Sequence, residues 1–303
     1  MSLEADAIAY RRALKRRLVF WRVLGIAALV AVAAVAFGRF DGVSSLGQRV
    51  AQVEVSGIIV EDPWRDDVLT ELAEDGNVKA LLVRINSPGG TVVGGETLFD
   101  ALRQVAEKKP VVAVMGELAT SGGYMAALGA DRIFAQKGTL TGSIGVILQT
   151  TEVTGLLEKI GVKAESFKSA PLKAAPNPLE PVTEEVRAAT QAVIMDMYDM
   201  FVDMVADRRG LERGDVLPLA DGRVFTGRQA LSNRLIDDLG GEREALAWLD
   251  KAKGISADLP VEDVSLEQPK TPWGDFFGGW VGKTLFSERV RLDGLISVWH
   301  PNL

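Results

Sequence analysis

The chain has 303 residues, 47% of them hydrophobic, enough for one sizeable globular domain with appendages. Its net charge is −7, but Arg11, Arg12, Lys15, Arg16, Arg17 and Arg22 outnumber Glu4 and Asp6, so residues 1–22 carry +4 and the rest −11, a body that excludes nucleic acid as a natural partner. With no cysteine, disulfides, thiolate metal sites and a lipidated cysteine are excluded, and the redox compartment stays open.

The N-terminus is patterned as a membrane element. Val23 to Phe37 gives fifteen residues without a charge, about 22 Å of helix, short of a hydrocarbon core of about 30 Å. Starting at Leu18 lengthens the run to twenty residues, about 30 Å, with Arg22 able to extend its guanidinium to the head groups. The pattern predicts a cytoplasmic basic segment over 1–17, a transmembrane anchor over 18–37 and a Gly/Ser linker over 38–48. A cleaved secretory signal ending near Ala34-Val35-Ala36 is the competing reading. Both readings put the following domain outside the cytoplasm.

A strand and helix alternation follows over 49–258. Val50 to Val60 reads as strand around a break at Gly57, Asp67 to Glu74 as a short helix, and Ala80 to Ile85 as a buried strand. Ser87-Pro88-Gly89-Gly90 then predicts a turn whose glycines allow close backbone approach to a ligand. Glu96 to Glu107 reads as helix, Val111 to Met115 as strand and Gly122 to Leu128 as helix. Repeated strand, turn and helix units predict an α/β core with largely parallel pairing.

Ser121 lies at the last of these strand-to-helix turns, in Ala119-Thr120-Ser121-Gly122-Gly123-Tyr124-Met125. A serine there can present its hydroxyl at the sheet edge with the following amides ready for an oxyanion. The only histidine, His300, is three residues from the C-terminus, which makes a Ser/His/Asp triad improbable, so a hydrolase built on Ser121 needs another base. Lys173, in Ser169-Ala170-Pro171-Leu172-Lys173-Ala174-Ala175-Pro176, has uncharged neighbours, and burial there, with Lys168 nearby, would favour its neutral amine. The plain alternative is a solvent-facing lysine in a Pro-rich loop. By themselves the glycine pairs are equally ordinary turn chemistry, and Ser143 an ordinary turn serine.

Thr183 to Arg209 is the clearest helix, with Thr183 to cap it, Glu184 and Glu185 at its positive end, Arg208 and Arg209 at the other, and Gly210 to close it. Val186, Val193, Met197, Met200 and Met204 recur at helical spacing, as core or subunit interface or as a pliable wall for apolar peptides. The tail, 259–303, carries Trp273, Phe276, Phe277, Trp280 and Phe286, which suit a membrane interface, a neighbouring subunit or a groove equally well.

Four ordered segments, Asn86-Ser87-Pro88-Gly89-Gly90, Ala119-Thr120-Ser121-Gly122-Gly123-Tyr124, Thr141-Gly142-Ser143-Ile144-Gly145-Val146 and Lys168-Ser169-Ala170-Pro171-Leu172-Lys173, together resemble the signal peptide peptidase A family of Ser/Lys membrane peptidases. The likeness runs from about Val50 to Ala252 and includes Gly222-Arg223-Val224-Phe225-Thr226-Gly227. The resemblance implies Ser121 as nucleophile, Lys173 as general base and Ser143 as the group orienting its amine. It also implies an oxyanion hole from the amides of Gly90 and Gly122, with Gly89 permitting the turn. The fold it implies is a crotonase-like or Clp-protease-like spiral of ββα units, behind the N-terminal transmembrane helix. This chain has Ala170 where the family often has glycine and Leu172 where it often has an aromatic residue, which bears on loop shape and not on the reacting groups.

The expected protein is therefore a single-pass serine endopeptidase of a bacterial-type inner membrane. Its peptidase domain, 49–258, would be extracytoplasmic and homo-oligomeric, would use no cofactor or metal, and would degrade apolar peptides such as released signal peptides. A crotonase-type acyl-CoA enzyme and a membrane-tethered scaffold with a relict dyad are the rivals.

Overall fold

The structure, a computed structural model, describes residues 15–29, 47–268 and the backbone of 295–298. The chain divides into two compact units, Met1–Gly47 and Gln48–Leu303. In the first unit, residues 15–29 form helix α1, exposed along its whole length. No helix among the described residues is long and apolar enough to cross a membrane. The expected anchor continues over residues 30–37, which lie outside the described residues.

The second unit is a mixed α/β fold around one sheet. Strands β1 (Arg49–Ile59), β2 (Val78–Thr91), β3 (Val111–Thr120), β4 (Arg132–Ala135) and β8 (Asp238–Leu239) pair in parallel in that order, and β9 (Val261–Asp263) adds in parallel to the free side of β1. Parallel strands buried on both faces must be apolar at successive positions, and these are. Alternation then sorts the side chains: Ala51, Val53, Val55, Leu81, Val83, Ile85, Val111, Ala113 and Met115 join the larger core. Val50, Ala80, Leu82, Val112 and Val114 face the other way, against Ala245 and Leu249 of α9 (Glu242–Lys253).

Helices α2 (Pro63–Glu74), α3 (Val92–Ala106) and α4 (Gly122–Leu128) supply the larger core with Leu69, Leu98, Leu102, Tyr124 and Met125. α2 and α3 both begin four residues earlier than the hydrophobic periodicity predicts. Their starts are set by caps: Asp62 accepts from the amides of Trp64 (3.1 Å) and Arg65 (3.4 Å), and Thr91 from that of Gly94 (3.0 Å).

The expected turn at Ser87-Pro88-Gly89-Gly90 is replaced by continuous strand. β2 passes through a register shift between Ile85 and Ser87, then pairs Ile58 with Gly89 and Ile59 with Gly90 of its neighbour β1. Pro88 is tolerated because it falls at this irregularity, where the ladder spares a donor. β3 likewise extends past Met115 through Gly116 and Glu117. Its last residues, Leu118–Thr120, pair with β5 (Leu140–Gly142), which pairs antiparallel with β7 (Val224–Thr226). The three central strands thus shift register at one level and continue beyond it. At that level the sheet meets the site residues.

The chain then leaves the sheet through β6 (Ile147–Leu148) and α5 (Thr154–Lys159), followed by an exposed segment up to Thr183. Helix α6 (Glu184–Arg209) has the termini the sequence predicts: Thr183 accepts from the amide of Val186, and Gly210 closes it in the left-handed conformation (φ 57°). Its second half joins the larger core through Phe201, Val202, Val205 and Ala206, with Met200 and Met204 packed beside them, and in the first half Val186 alone is buried. Val193 and Met195 of the first half are exposed. Helices α7 (Arg213–Val216) and α8 (Gly227–Ser232) complete the body, and strand β10 (Leu295–Val298) pairs antiparallel with β2 and β6.

Candidate active site

Ser121 occupies the junction of β3 and α4 with φ 56° and ψ −120°, a backbone conformation rarely adopted by a residue with a side chain. Such strain persists only where the surroundings over-determine it, and it is the geometry of a nucleophile held at a sharp strand-to-helix turn. Here the constraint comes from three sides. The Ser121 amide donates to the Gly142 carbonyl (2.8 Å), Thr120 pairs with Gly142 across β3 and β5, and the Met125 amide donates to the Ser121 carbonyl (2.9 Å). The Thr141 hydroxyl donates to the Ala119 carbonyl (2.7 Å) and the Thr120 hydroxyl to the Pro88 carbonyl (3.2 Å), fastening the junction to both neighbouring strands. Ser121 is 1% exposed.

Gly90 on β2 and Gly123 on α4 are required by close approach. A Cβ on Gly90 would lie 1.7 Å from the Ile59 carbonyl oxygen, and one on Gly123 would lie 2.9 Å from that of Ser87. Gly89 has φ 106°, open to glycine alone. Its amide is already taken, because it donates to the Ser87 hydroxyl (3.0 Å), which donates in turn to the Gly57 carbonyl (2.6 Å). Gly89 therefore shapes the strand, and its amide is not open to a ligand. In the sequence alone nothing beyond its place in the motif gives Ser87 a role. A polar side chain between a strand and a Pro-Gly-Gly run was the signal available.

Ser143 follows on the same loop, with φ 50°, 8% exposure and its amide donating to the Arg223 carbonyl (2.9 Å). The structure thus brings Ser121, Gly122, Gly89, Gly90 and Ser143 together through a continuous set of backbone contacts.

Lys173 differs from its expectation. It is exposed, in the turn where its amide donates to the Ala170 carbonyl (3.1 Å), and its ammonium makes no ion pair among the described residues. Lys168 does not press on it as an unpaired charge, because its ammonium is bound to Glu180. That bond, with others from Ser166 and Asn177, holds the Glu180 carboxyl below the usual range. The protein surface around Lys173 is nevertheless apolar. Leu172, Ala175 and Pro176 line a cavity of about 220 Å³ with Leu148 of β6 and Val186, Ala189, Thr190 and Val193 of α6.

Tyr124, three residues after Ser121, is not placed to act as a base. Its hydroxyl is fully buried, donates to the Leu235 carbonyl (2.8 Å), and is pushed well above its ordinary pKa by burial. Among the described residues no group of three or more His, Asp or Glu side chains is placed to hold a metal.

Residues 103–256 match the model of peptidase family S49. The chain is 42% identical over 229 residues to "Putative protease slr0021" of Synechocystis sp., spanning 75% of this chain and 82% of that one. It is 35% identical over 218 residues to "Putative signal peptide peptidase SppA" of Enterococcus faecium, covering 72% of this chain and 62% of the relative. Among solved structures, a ClpP1 mutant from Listeria monocytogenes overlays with a TM-score of 0.44 at 18% identity, over 64% of this chain and 92% of that one. With its family model spanning both the strand before Ser121 and the segment of Lys173, the chain belongs to peptidase family S49, the signal peptide peptidase A family.

Proposed function

We propose that the chain is a membrane-anchored serine endopeptidase in which Ser121 is the nucleophile and Lys173 the general base, and that it degrades apolar peptides such as released signal peptides. The observation that carries the reading is the strained Ser121 at the head of α4, braced by Gly142 and fastened through Thr120 to the Pro88-Gly89-Gly90 stretch of β2. In the proposed reaction the neutral Lys173 amine takes the Ser121 proton as Oγ attacks the scissile carbonyl. Negative charge on the former carbonyl oxygen rests on the Gly90 and Gly122 amides. As the C–N bond breaks, the Lys173 ammonium returns the proton to the leaving amine, and water hydrolyses the acyl-enzyme with Lys173 again as base. Ser143 accepts from the Lys173 amine and aims it.

Lys173 is exposed in the single chain, and a base of this kind must lose water to act as a neutral amine near physiological pH. A homo-oligomer supplies the cover: the first half of α6, with Val193 and Met195 exposed, and Leu172 beside Lys173 form the apolar surface a neighbouring copy would bury. The bend of β1, β2 and β3 past their register shifts favours a spiral of the crotonase-like or Clp-protease-like kind. The basic segment and apolar run of residues 1–37 support a single-pass anchor with the catalytic domain outside the cytoplasm.

The test is labelling and turnover in one preparation. The wild-type chain should react at Ser121 with a serine-directed fluorophosphonate or boronate and hydrolyse an apolar fluorogenic peptide. Ser121→Ala and Lys173→Ala should each lower kcat by at least about a thousandfold with the fold intact. Turnover by Ser121→Ala at the wild-type rate would refute the dyad.

A further inference from the structure

We propose that Arg208 is a positioning residue for the nucleophile: it seats the far end of α4 and so fixes where Ser121 and the Gly122 amide stand. The inference rests on the peptidase reading and deepens it. α4 has seven residues, about two turns, and every one of them is buried. A helix this short does not hold itself together, and its place is set by what its ends are tied to. At the N-terminal end the Ser121 amide donates to the Gly142 carbonyl. At the other end the Gly129 and Ala130 amides donate to the Ala126 (3.0 Å) and Ala127 (3.1 Å) carbonyls, and the carbonyls of Leu128, Gly129 and Ala130 follow, all on buried residues. All three end on guanidinium groups. Arg208 donates from Nε to Leu128 (2.8 Å) and from Nη2 to Ala130 (2.9 Å), and Arg103 of α3 donates from Nη1 to Gly129 (3.1 Å).

The two donors of Arg208 form a planar fork over carbonyls two residues apart, which the point charge of a lysine does not reproduce. Partial burial first, then repulsion from Arg103, hold the Arg208 pKa below its ordinary value, and among the described residues it forms no ion pair. What keeps the group in place is therefore the carbonyls it serves. Arg208 also lies near the end of α6, whose first half contributes Val186, Ala189, Thr190 and Val193 to the cavity shared with Leu172 and Ala175, on either side of Lys173. From Thr190 to Arg208 is about 27 Å of one helix. The fork thus ties the nucleophile's helix to the helix that walls the segment of the proposed base. A misplacement of about 1 Å, less than the rise of one helical residue, costs a reaction on the order of a hundredfold in rate.

The test compares full-length Arg208→Ala, Arg208→Lys and Tyr124→Phe with wild type on an apolar fluorogenic peptide, at a temperature where the chains are folded. Tyr124→Phe loosens the same helix and leaves its terminal carbonyls bound. Arg208→Ala should lower kcat by about a hundredfold with KM within about twofold of wild type, and Arg208→Lys should lower kcat by about tenfold. Guanidinium ion at millimolar concentration, well below denaturing levels, should restore part of the rate of Arg208→Ala and leave Tyr124→Phe unchanged. Wild-type kcat in both Arg208 variants, an equal fall in Tyr124→Phe, or no response of Arg208→Ala to guanidinium would overturn the proposal. Should Arg208→Ala fail to fold, Arg208→Lys carries the comparison.

A second measurement does not depend on turnover. Hydrogen exchange over residues 121–130 should quicken in Arg208→Lys relative to residues 80–85 of β2, and an unaltered ratio overturns the proposal. If exchange responds as expected while wild type neither hydrolyses peptide nor is labelled at Ser121, the seat of α4 stands and the peptidase reading fails. If wild type is active and labelled and the Arg208 variants match it, the peptidase reading stands and the seat fails.

Discussion

Replacing Gly90 by alanine should damage fold and catalysis together, by amounts set by one distance. The added Cβ would lie 1.7 Å from the Ile59 carbonyl oxygen, 2.5 Å from its carbon and 2.6 Å from the Ile59 nitrogen. Reaching ordinary contact at 3.4 Å demands a displacement of 1.7 Å, and every offending atom is backbone, so no side chain can swing aside. The strands must part where Ile58 pairs with Gly89 and Ile59 with Gly90; Ile59, Gly89 and Gly90 are buried there, and Ile58 is exposed. Two ladder bonds lost there, with their groups left unpaired, cost about 2–5 kcal/mol. For a domain of this size the melting temperature should fall by about 5–15 °C. On the proposed mechanism a Gly90 amide moved by more than an ångström would no longer meet the developing oxyanion, and kcat should drop by about 10²–10³. The assay is thermal unfolding and peptide hydrolysis on Gly90→Ala, with Gly116→Ala as control. A Cβ on Gly116 meets only the Asn86 side chain, at 3.4 Å, and should shift stability by less than about 0.5 kcal/mol. If Gly90→Ala matches the control in both measurements, the close approach of β1 and β2 is not what positions this amide.

Three further outcomes follow from named contacts. Ser87→Ala strips the buried link between the Gly57 carbonyl and the Gly89 amide and should cost about 1–3 kcal/mol by denaturant unfolding, with kcat lowered through the displaced Gly90. Tyr124→Phe removes the bond to the Leu235 carbonyl and should cost about 1 kcal/mol while leaving kcat/KM unchanged, because the phenol takes no part in proton transfer. Glu180 has its folded pKa depressed by Lys168, so its contribution is present above the unfolded value of about 4.3 and is lost as pH falls through the folded one. Hydrogen exchange over residues 166–180 should therefore speed up relative to the sheet below about pH 4, and an unaltered ratio would show that the Lys168–Glu180 contact does not hold the segment carrying Lys173.

Much of this protein was legible in its sequence where one local signal sufficed. Both ends of α6 are fixed by Thr183, its acidic first turn, Arg208, Arg209 and Gly210, and they fall where those residues predict. The strand-to-helix turn at Ser121 was legible because a small-residue run follows an apolar one directly. The course of β2 was not. Pro88 and two glycines are turn residues by propensity, and only pairing with β1 and β3, remote in sequence, keeps Ser87 to Thr91 extended. The surroundings of Lys173 were not legible either. Apolar neighbours in sequence describe what could surround an amine, whereas its burial depends on what packs over the loop, and in the single chain Lys173 is exposed. The tail was undetermined for a related reason: the aromatic cluster drew attention to residues 273–286, which lie outside the described residues, while the segment that joins the sheet is the plain Leu295–Val298.

The hydrogen bond from the Ser121 amide to the Gly142 carbonyl has a stereochemical consequence. A nucleophile whose own N–H is free can share in stabilising the tetrahedral adduct, and the adduct's oxygen then lies beside the attacking residue. Here that N–H is turned toward β5, so on the proposed mechanism the oxyanion would rest on donors from Gly122, at the head of α4, and Gly90, on β2. The two faces of a planar scissile carbonyl would thereby be unequal: attack on one would deliver the oxygen to the two proposed donors, and attack on the other would turn it away from them. A peptide of inverted chirality at the cleaved residue, threaded in the same direction, would offer the disfavoured face. The enzyme's handedness toward substrate is in this sense written in a single backbone bond behind the serine.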